Sequence, residues 1–256
     1  DIDRAELGKV KQAHVAIQGD VGEVLDVLIP QIEASARHAW RNTVEQLQAE
    51  FPSSIAQNSD PLSHYGLINA VAACVDDEAI ITTDVGQHQM WTAQAYPLNR
   101  PRQWLTSGGL GTMGFGLPTA IGAALANPER KVICFSGDGS LMMNIQEMAT
   151  AAENNLDVKI ILMNNEALGL VHQQQSLFYK SGVFAATYPG MVNFVQIAAG
   201  FGLHTCDLNA AADPQAALQE IIDRPGPALV HVRIDPQQKV YPMVPPGAAN
   251  TEMVGE

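Results

Sequence analysis

Residues 132–169 read VICFSGDGSLMMNIQEMATAAENNLDVKIILMNNEALG. Two short runs rich in β-branched and apolar residues, 132–136 (VICFS) and 158–163 (VKIILM), flank a segment with helical spacing through Ile145 and Met148. Each run stops at small, polar or acidic residues: Gly137-Asp138-Gly139-Ser140 after the first, Asn164-Asn165-Glu166-Ala167-Leu168-Gly169 after the second. A strand, one helix over 140–154 and a second strand form a crossover unit, and a crossover joins parallel strands. Outside it the same alternation continues, with further buried-strand candidates at 79–83 (AIITT), 103–106, 203–206 and 228–234. Runs that are apolar throughout, rather than at every second residue, expect cover on both faces. The expected fold is therefore α/β: a doubly wound parallel sheet of about six strands with helices on both faces. Such sheets bind their ligands beyond the carboxyl ends of the strands.

Ahead of this sheet lie two helical patterns, 21–29 and 31–51, the second opening at Pro30 with Ile32, His38 or Ala39, Val44 and Leu47 at helical spacing. Residues 51–61 (FPSSIAQNSDP) have the composition of a linker. The expected division is 1–20 as a remnant of a preceding domain, 21–60 as a helical linker and 61–256 as the sheet domain. The opening DIDRAELGKV has neither a basic region nor an apolar core, and reads as a cut edge rather than a signal peptide.

Lys+Arg 14 against Asp+Glu 27 gives a formal charge of −13, the wrong sign for a phosphate-backbone binder, so nucleic acid is excluded as a partner. Charged residues are 16% of the 256, fewer than the roughly 25% of an average soluble chain. That shortage suggests a surface partly covered by another chain or domain. The longest apolar runs fall far short of the ~20 residues of a membrane span, so a soluble, cytoplasmic protein is expected. Cys74, Cys134 and Cys206 are too far apart for a disulfide framework or a CxxC site, and read as core thiols of a reducing compartment.

Four strand ends carry the candidate chemistry. After 79–83 comes Asp84-Val85-Gly86-Gln87-His88, a turn opening a helix through Met90, Trp91 and Ala95. After 103–106 comes Ser107-Gly108-Gly109-Leu110-Gly111-Thr112-Met113-Gly114-Phe115-Gly116, a loop whose glycines let backbone N–H groups approach a ligand closely. Gly109, Gly111 and Gly114 also satisfy G-x-G-x-x-G, and Asp138 follows at about the spacing of a ribose-binding acid. An NAD-dependent dehydrogenase is thus a second reading. Against it, the flanking glycines and following helix start suit Asp138 to a metal or phosphate turn.

Positions 140–163, 24 residues, separate Gly139 from Asn164, so Asp138 and Asn165 end neighbouring or near-neighbouring strands. A carboxylate, an amide oxygen, a main-chain carbonyl from the 166–167 turn and two phosphate oxygens would make the oxygen shell that Mg²⁺ demands. No Lys or Arg occurs between Arg102 and Arg130, nor between Lys131 and Lys159. A diphosphate held here must be met by a metal, backbone amides and helix N-termini.

With these residues in view, TDVGQHQMW, SGGLGTMGFGLPTAIGAA, GDGSLMMNIQEMATA and NNEALGLV, in that order, resemble the carboxy-terminal thiamine-diphosphate domain of the large catalytic subunit of acetohydroxyacid synthase (acetolactate synthase). The resemblance extends to the tail PGPALVHVRIDPQQKVYPMVPPGAA, and residues 1–20 resemble the end of the family's middle, flavin-binding domain. It implies thiamine diphosphate and Mg²⁺ as cofactors, with FAD in the full-length enzyme. Asp138, Asn165 and the Ala167 carbonyl are the implied Mg²⁺ ligands. Val85, Gly86, Gln87, His88, Gly139, Ser140, Ala167 and Leu168 are the implied diphosphate cradle, and Gly111 and Met113 hold the aminopyrimidine and bend the cofactor. Leu170, Val171 and Gln174 are the implied substrate pocket.

The implied activity is decarboxylation of pyruvate and condensation with a second 2-ketoacid, a two-carbon transfer in branched-chain amino-acid biosynthesis. Sister activities of the superfamily, catabolic acetolactate synthase, pyruvate oxidase or a decarboxylase, are the nearer alternatives. The implied partners are pyruvate and 2-ketobutyrate as substrates, further copies in a homodimer or higher oligomer, and a small regulatory subunit. No catalytic residue is expected in this chain, because the family's activating Glu belongs to the amino-terminal domain of a partner subunit, so the chain alone should be inactive. Two departures matter. Gln174 stands where many members have Trp, which argues against a strong 2-ketobutyrate preference, and Pro246-Gly247 replaces a common Ser-Gly, so inhibitor-site residues are not carried over.

Overall fold

The computed structural model of the chain describes residues 1–51, 55, 58–180, 182–188 and 190–255. They divide into two compact units, Asp1–Pro52 and Ser53–Glu256.

The first unit holds α1 (Val21–Leu28) and α2 (His38–Glu50). Asp20 caps α1 by accepting from the N–H groups of Gly22 and Glu23, as an N-cap carboxylate does. The second helix is shorter than the 31–51 expected. Pro30 lies in a 3₁₀ turn, Ile29–Gln31, that prolongs α1; Ile32 is extended, and Arg37 takes φ 40 before α2 starts. A non-glycine residue in the left-handed region interrupts any helix running through it. The division falls at Pro52, inside the expected linker, of which residues 52–54, 56 and 57 lie outside the described set. Two carbonyls of that stretch are tied down, since Asn69 Nδ2 donates to those of Ile55 (2.9 Å) and Asn58 (2.8 Å).

The second unit runs α3 (His64–Ala73), β1 (Ile80–Thr83), α4 (Gln87–Ala95), β2 (Trp104–Leu105), α5 (Gly116–Ala126), β3 (Val132–Gly137), α6 (Asp138–Leu141), α7 (Glu147–Glu153), β4 (Val158–Asn164), α8 (Gly169–Phe178), α9 (Phe194–Gly200), β5 (His204–Asp207), α10 (Pro214–Asp223) and β6 (Ala228–Arg233). All pairings are parallel, in the order β2-β1-β3-β4-β6-β5. Alternate side chains feed two cores. Ile81, Ile133, Phe135, Ile161 and Met163 pack with Leu67 of α3, Trp91 of α4 and Leu218 of α10. Ile80, Cys134, Ile160 and Leu162 pack with Leu117 of α5, Met148 of α7 and Phe194 of α9. Burial on both faces explains why the strand sequences are apolar without alternation.

Two expectations are corrected. The single helix over 140–154 is broken into α6 and α7 by turns in which Asn144 donates from Nδ2 to the Gly114 carbonyl at 2.6 Å. The 103–106 strand narrows to two residues because it is the sheet's edge and pairs only with β1.

One charge crosses the interior. Lys159, on β4, is wholly buried; its ammonium lies 2.6 Å from Asp157 Oδ1 and donates to the carbonyls of Arg224 and of Gly226 (2.6 Å), in the turn after α10. Burial lowers its pKa, and Asp157 opposes the shift. Lys159→Met fills the same space and leaves both carbonyls and Asp157 without their donor. Asp157 is partly exposed and water can meet its carboxylate, so the loss falls on the carbonyls, about 1–3 kcal/mol for a polar group left unsatisfied; urea unfolding should show a loss of that size, and an unchanged midpoint would mean water replaces the ammonium.

Candidate functional site

In this parallel sheet the ends of β1 at Thr83, β3 at Gly137 and β4 at Asn164 face one edge. The chain leaves β1 outward to the edge strand β2 and returns to the other side of β1 for β3, so α4 and α5 pack on opposite faces. Between β1 and β3 the helices therefore diverge, the position where open sheets leave a crevice. A cavity of about 170 Å³ opens there. The residues expected in the cradle all line it: Val85 to His88, Gly111 and Met113, Gly139 and Ser140, Ala167 and Leu168. So do Asp138, Asn165, Leu170 and Val171. Gln174 does not. It is exposed on α8, and its neighbour Gln173 is the residue turned into the protein.

Asp84, whose carboxylate the sequence reading left without a role, organises the first edge. Buried at the end of β1, it accepts from the N–H groups of Val85 (2.8 Å), Gly114 (2.8 Å) and Gly116 (3.0 Å), binding the glycine loop to β1. Gly114 has φ +88, and a Cβ on Gly116 would stand 2.7 Å from the Asp84 nitrogen, so both must be glycine. The loop serves this anchoring and does not form a dinucleotide fingerprint. It follows the edge strand β2, and Asp138 ends β3, which β1 separates from β2, whereas a ribose-binding acid ends the strand beside the glycine loop.

His88 is buried against Gly137, where a Cβ would lie 2.8 Å from its Nδ1. Burial lowers its pKa to about 4 against the raising influence of Asp84, so the imidazole is neutral near pH 7, and its Nε2 has no partner among the described residues. Ser140 Oγ donates to the Val85 carbonyl at 2.8 Å, joining the β1 and β3 loops.

At the ends of β3 and β4, Gly137 stands opposite Met163, so Asp138 comes level with Asn164 and one residue short of Asn165. Asp138 Oδ1 accepts from the Gly139 N–H at 2.8 Å, while Oδ2 is buried without a partner. Burial pushes this carboxyl up to about 6, against the lowering effect of the N–H groups of Gly139, Glu166 and Ala167. Asn165 Nδ2 donates to Gln87 Oε1 (3.0 Å), and Gln87 Nε2 donates to Gln173 Oε1 (2.8 Å) and to the Gln238 carbonyl (2.9 Å). Gln173 in turn donates to the Val240 carbonyl (2.9 Å) and accepts its N–H (2.8 Å). This chain of amides fixes which end of Asn165 is oxygen: Oδ1 points away from Gln87 and accepts the Ala167 N–H at 3.3 Å. Gln173 was missed because nothing in three consecutive glutamines says which one faces inward.

No group of three or more His, Cys, Asp or Glu placed to hold a metal occurs among the described residues. A cation at this edge would draw on one carboxylate, the Asn165 amide and main-chain oxygens, and would need oxygens from a ligand to complete a hard-cation shell. The lining contains no Lys or Arg.

Residues 84–232 match the family described as thiamine pyrophosphate enzyme, C-terminal TPP binding domain. The chain is 82% identical over 256 residues to the acetolactate synthase isozyme 1 large subunit of Escherichia coli (strain K12), spanning 100% of this chain and 46% of that protein. It is 41% identical over 254 residues to the isozyme 2 large subunit of the same organism, spanning 99% of this chain and 46% of that one. Against the chloroplastic acetolactate synthase of Arabidopsis thaliana the identity is 41% over 270 residues, 100% of this chain and 40% of that protein. The chain thus spans about half the length of the curated relatives it matches.

Two outcomes are expected from this geometry. Asp84→Ala removes the acceptor of three N–H groups, and with each bond to a charged acceptor worth about 1.5–3 kcal/mol the loss should exceed about 3 kcal/mol. Hydrogen exchange at the Gly114 and Gly116 amides should accelerate; unchanged exchange there would mean that the loop is held by something else. For Asp138, folding raises the pKa from 3.8 to about 6, so the folded chain binds this proton more tightly than the unfolded one. The ionisation penalty is absent below pH 4, grows as pH rises toward about 6 and is constant above it. The ligand-free Asp138→Asn variant should gain stability relative to the unaltered chain across that window, and a flat difference between pH 4 and 6 would contradict the assignment.

Proposed function

This chain belongs to the thiamine pyrophosphate enzymes, of which it carries the C-terminal TPP binding domain, and on that premise we propose that it is the corresponding part of an acetohydroxyacid synthase large subunit. The whole enzyme decarboxylates pyruvate and joins the remaining two-carbon unit to a second 2-ketoacid, giving acetolactate from pyruvate or acetohydroxybutyrate from 2-ketobutyrate. The 82% identity across all of the chain supports this reading over the sister activities.

The observation that carries the proposal is the Asp138 carboxylate, buried, pushed up in pKa and with Oδ2 unpaired, at an edge where no basic side chain lines the cavity. A buried acid without a partner is costly unless a cation completes it. Asp138, Asn165 Oδ1 and the Ala167 carbonyl would hold Mg²⁺. The cradle from Val85 to His88, with Gly139, Ser140 and the 167–168 turn, would receive the diphosphate; its walls are closely packed, since a Cβ at Gly137 would lie 2.8 Å from His88 Nδ1 and one at Gly139 2.5 Å from the Tyr188 hydroxyl. Gln87 acts through Asn165, keeping the amide oxygen toward the metal. Gly111 and Met113 lie across the cavity, where an unbranched thioether offers bulk without a competing hydrogen bond. When bound, thiamine diphosphate supplies the electron sink for cleavage beside a ketone.

Residues 1–20 are read as the end of an FAD-binding domain and 21–60 as the linker to 61–256. A homodimer or higher oligomer, a small regulatory subunit and a cytoplasmic location complete the proposal. Three free cysteines fit a reducing compartment, and no described helix is long and apolar enough to cross a membrane.

Calorimetry should detect thiamine diphosphate binding that requires Mg²⁺, lost in both Asp138→Ala and Asn165→Ala, with no response to NAD. The 256-residue chain given pyruvate should make no acetolactate, while the full-length subunit does. Undiminished cofactor affinity in both variants would sink the metal assignment; turnover by the chain alone would reveal a general base within it.

A further inference from the structure

Strands β5, β6 and β4 lie side by side, and at their carboxyl ends a line of polar side chains crosses from one to the next. Asp207 stands opposite His231, and His231 opposite Leu162, two residues before Asn164. His231 Nδ1 is 3.3 Å from Asp207 Oδ1, His231 Nε2 is 3.0 Å from Asn164 Nδ2, and Asn164 Oδ1 accepts the Glu166 N–H at 3.1 Å. His231 and Asn164 are buried.

The last bond determines the others. A backbone N–H can only donate, so the atom it meets is the Asn164 oxygen, and the NH₂ end of that amide faces His231. An NH₂ group also only donates, so Nε2 must accept and the imidazole proton resides on Nδ1, toward the Asp207 carboxylate. Donation therefore runs from the Glu166 N–H to Asn164 and from Asn164 to His231, while the Nδ1 proton faces the Asp207 carboxylate at 3.3 Å without a well-aligned hydrogen bond.

We propose that His231 is a positioning residue for the 165–167 turn, 65 positions before it in the chain and outside the cavity lining. Accepting at Nε2, it holds the Asn164 amide, which holds the Glu166 N–H and with it the left-handed conformation of Glu166, φ +55. That corner aims the Asn165 side chain and the Ala167 carbonyl. The far side of the turn has its own support, Leu168 N–H to the Ala186 carbonyl (2.9 Å) and Tyr188 N–H to the Glu166 carbonyl (2.8 Å), but neither bond fixes the corner between Asn164 and Glu166. Outer groups that orient metal ligands typically change metal affinity about 10–100-fold when removed. The role rests on the reading of this turn as the Mg²⁺ site.

Two measurements on the full chain test it. Imidazole nitrogen NMR of His231 should show the Nδ1–H tautomer, and a predominant Nε2–H form would overturn the chain of donors. Mg²⁺ titration at saturating thiamine diphosphate, followed by calorimetry, should show about tenfold weaker metal binding in His231→Leu. His231→Gln, whose amide oxygen can replace Nε2 as acceptor, should stay within about threefold of the unaltered chain on the same scale. Unfolding midpoints of both variants are measured alongside, because unequal metal affinity at similar stability is what positioning requires. Unchanged Mg²⁺ affinity in His231→Leu, or equal losses in both variants, overturns the role. If the unaltered chain itself binds thiamine diphosphate without any need for Mg²⁺, the reading of the turn as a metal site fails and this role with it.

Discussion

The parallel pairing of β3 with β4 is the constraint from which the site follows. It places Gly137 opposite Met163, so both strands run out at one level and the next residues, Asp138 and Asn164-Asn165, meet across a gap no wider than two adjacent strands. Helices cover both sheet faces, and the polar residues at these ends are largely buried: Asp138, Asn164 and Asn165 are each less than a tenth exposed. Polar groups at that edge must therefore bond each other or a ligand.

Most of them bond each other. Asp84 spends its carboxylate on the glycine loop, and Gln87 spends its amide on Asn165, Gln173 and Gln238. Such networks are costly to leave half made, and a fully made one fixes the orientation of each member. Amide orientation is the useful product here, since only one end of Asn165 is an oxygen. Among the described residues, the exceptions at this edge are Asp138 Oδ2 and His88 Nε2, of residues that line the cavity, and His231 Nδ1 beside Asp207. In a lining free of Lys and Arg, an unpaired carboxylate is the feature that calls for a cation.

Charge is handled differently at the two edges of the sheet. At the amino edge Lys159 is satisfied by Asp157 and two carbonyls, which locks the end of α10 to β4. At the carboxyl edge Asp84 and Asp138 accept from backbone N–H groups. Stability is concentrated at one edge, and a ligand-ready surplus of unpaired acceptor at the other.

The sequence by itself determined the fold class and the identities of the strand ends, because uninterrupted apolar runs that stop at Gly-Asp-Gly and Asn-Asn carry their meaning locally. Every site residue it named lines the cavity except Gln174, while Trp91, Gly137, Met163 and Gly169 join the lining unannounced. It did not determine the helix limits: one left-handed residue, Arg37, and one side-chain-to-backbone bond, from Asn144, interrupted two helices whose periodicity looked continuous. Nor could it say that Gln173 rather than Gln174 faces inward, that Asp84 organises the glycine loop, or that His231 reaches Asn164. Those contacts join positions 30 to 86 residues apart, and only the order of strands in the sheet decides which distant side chains share one edge and one face.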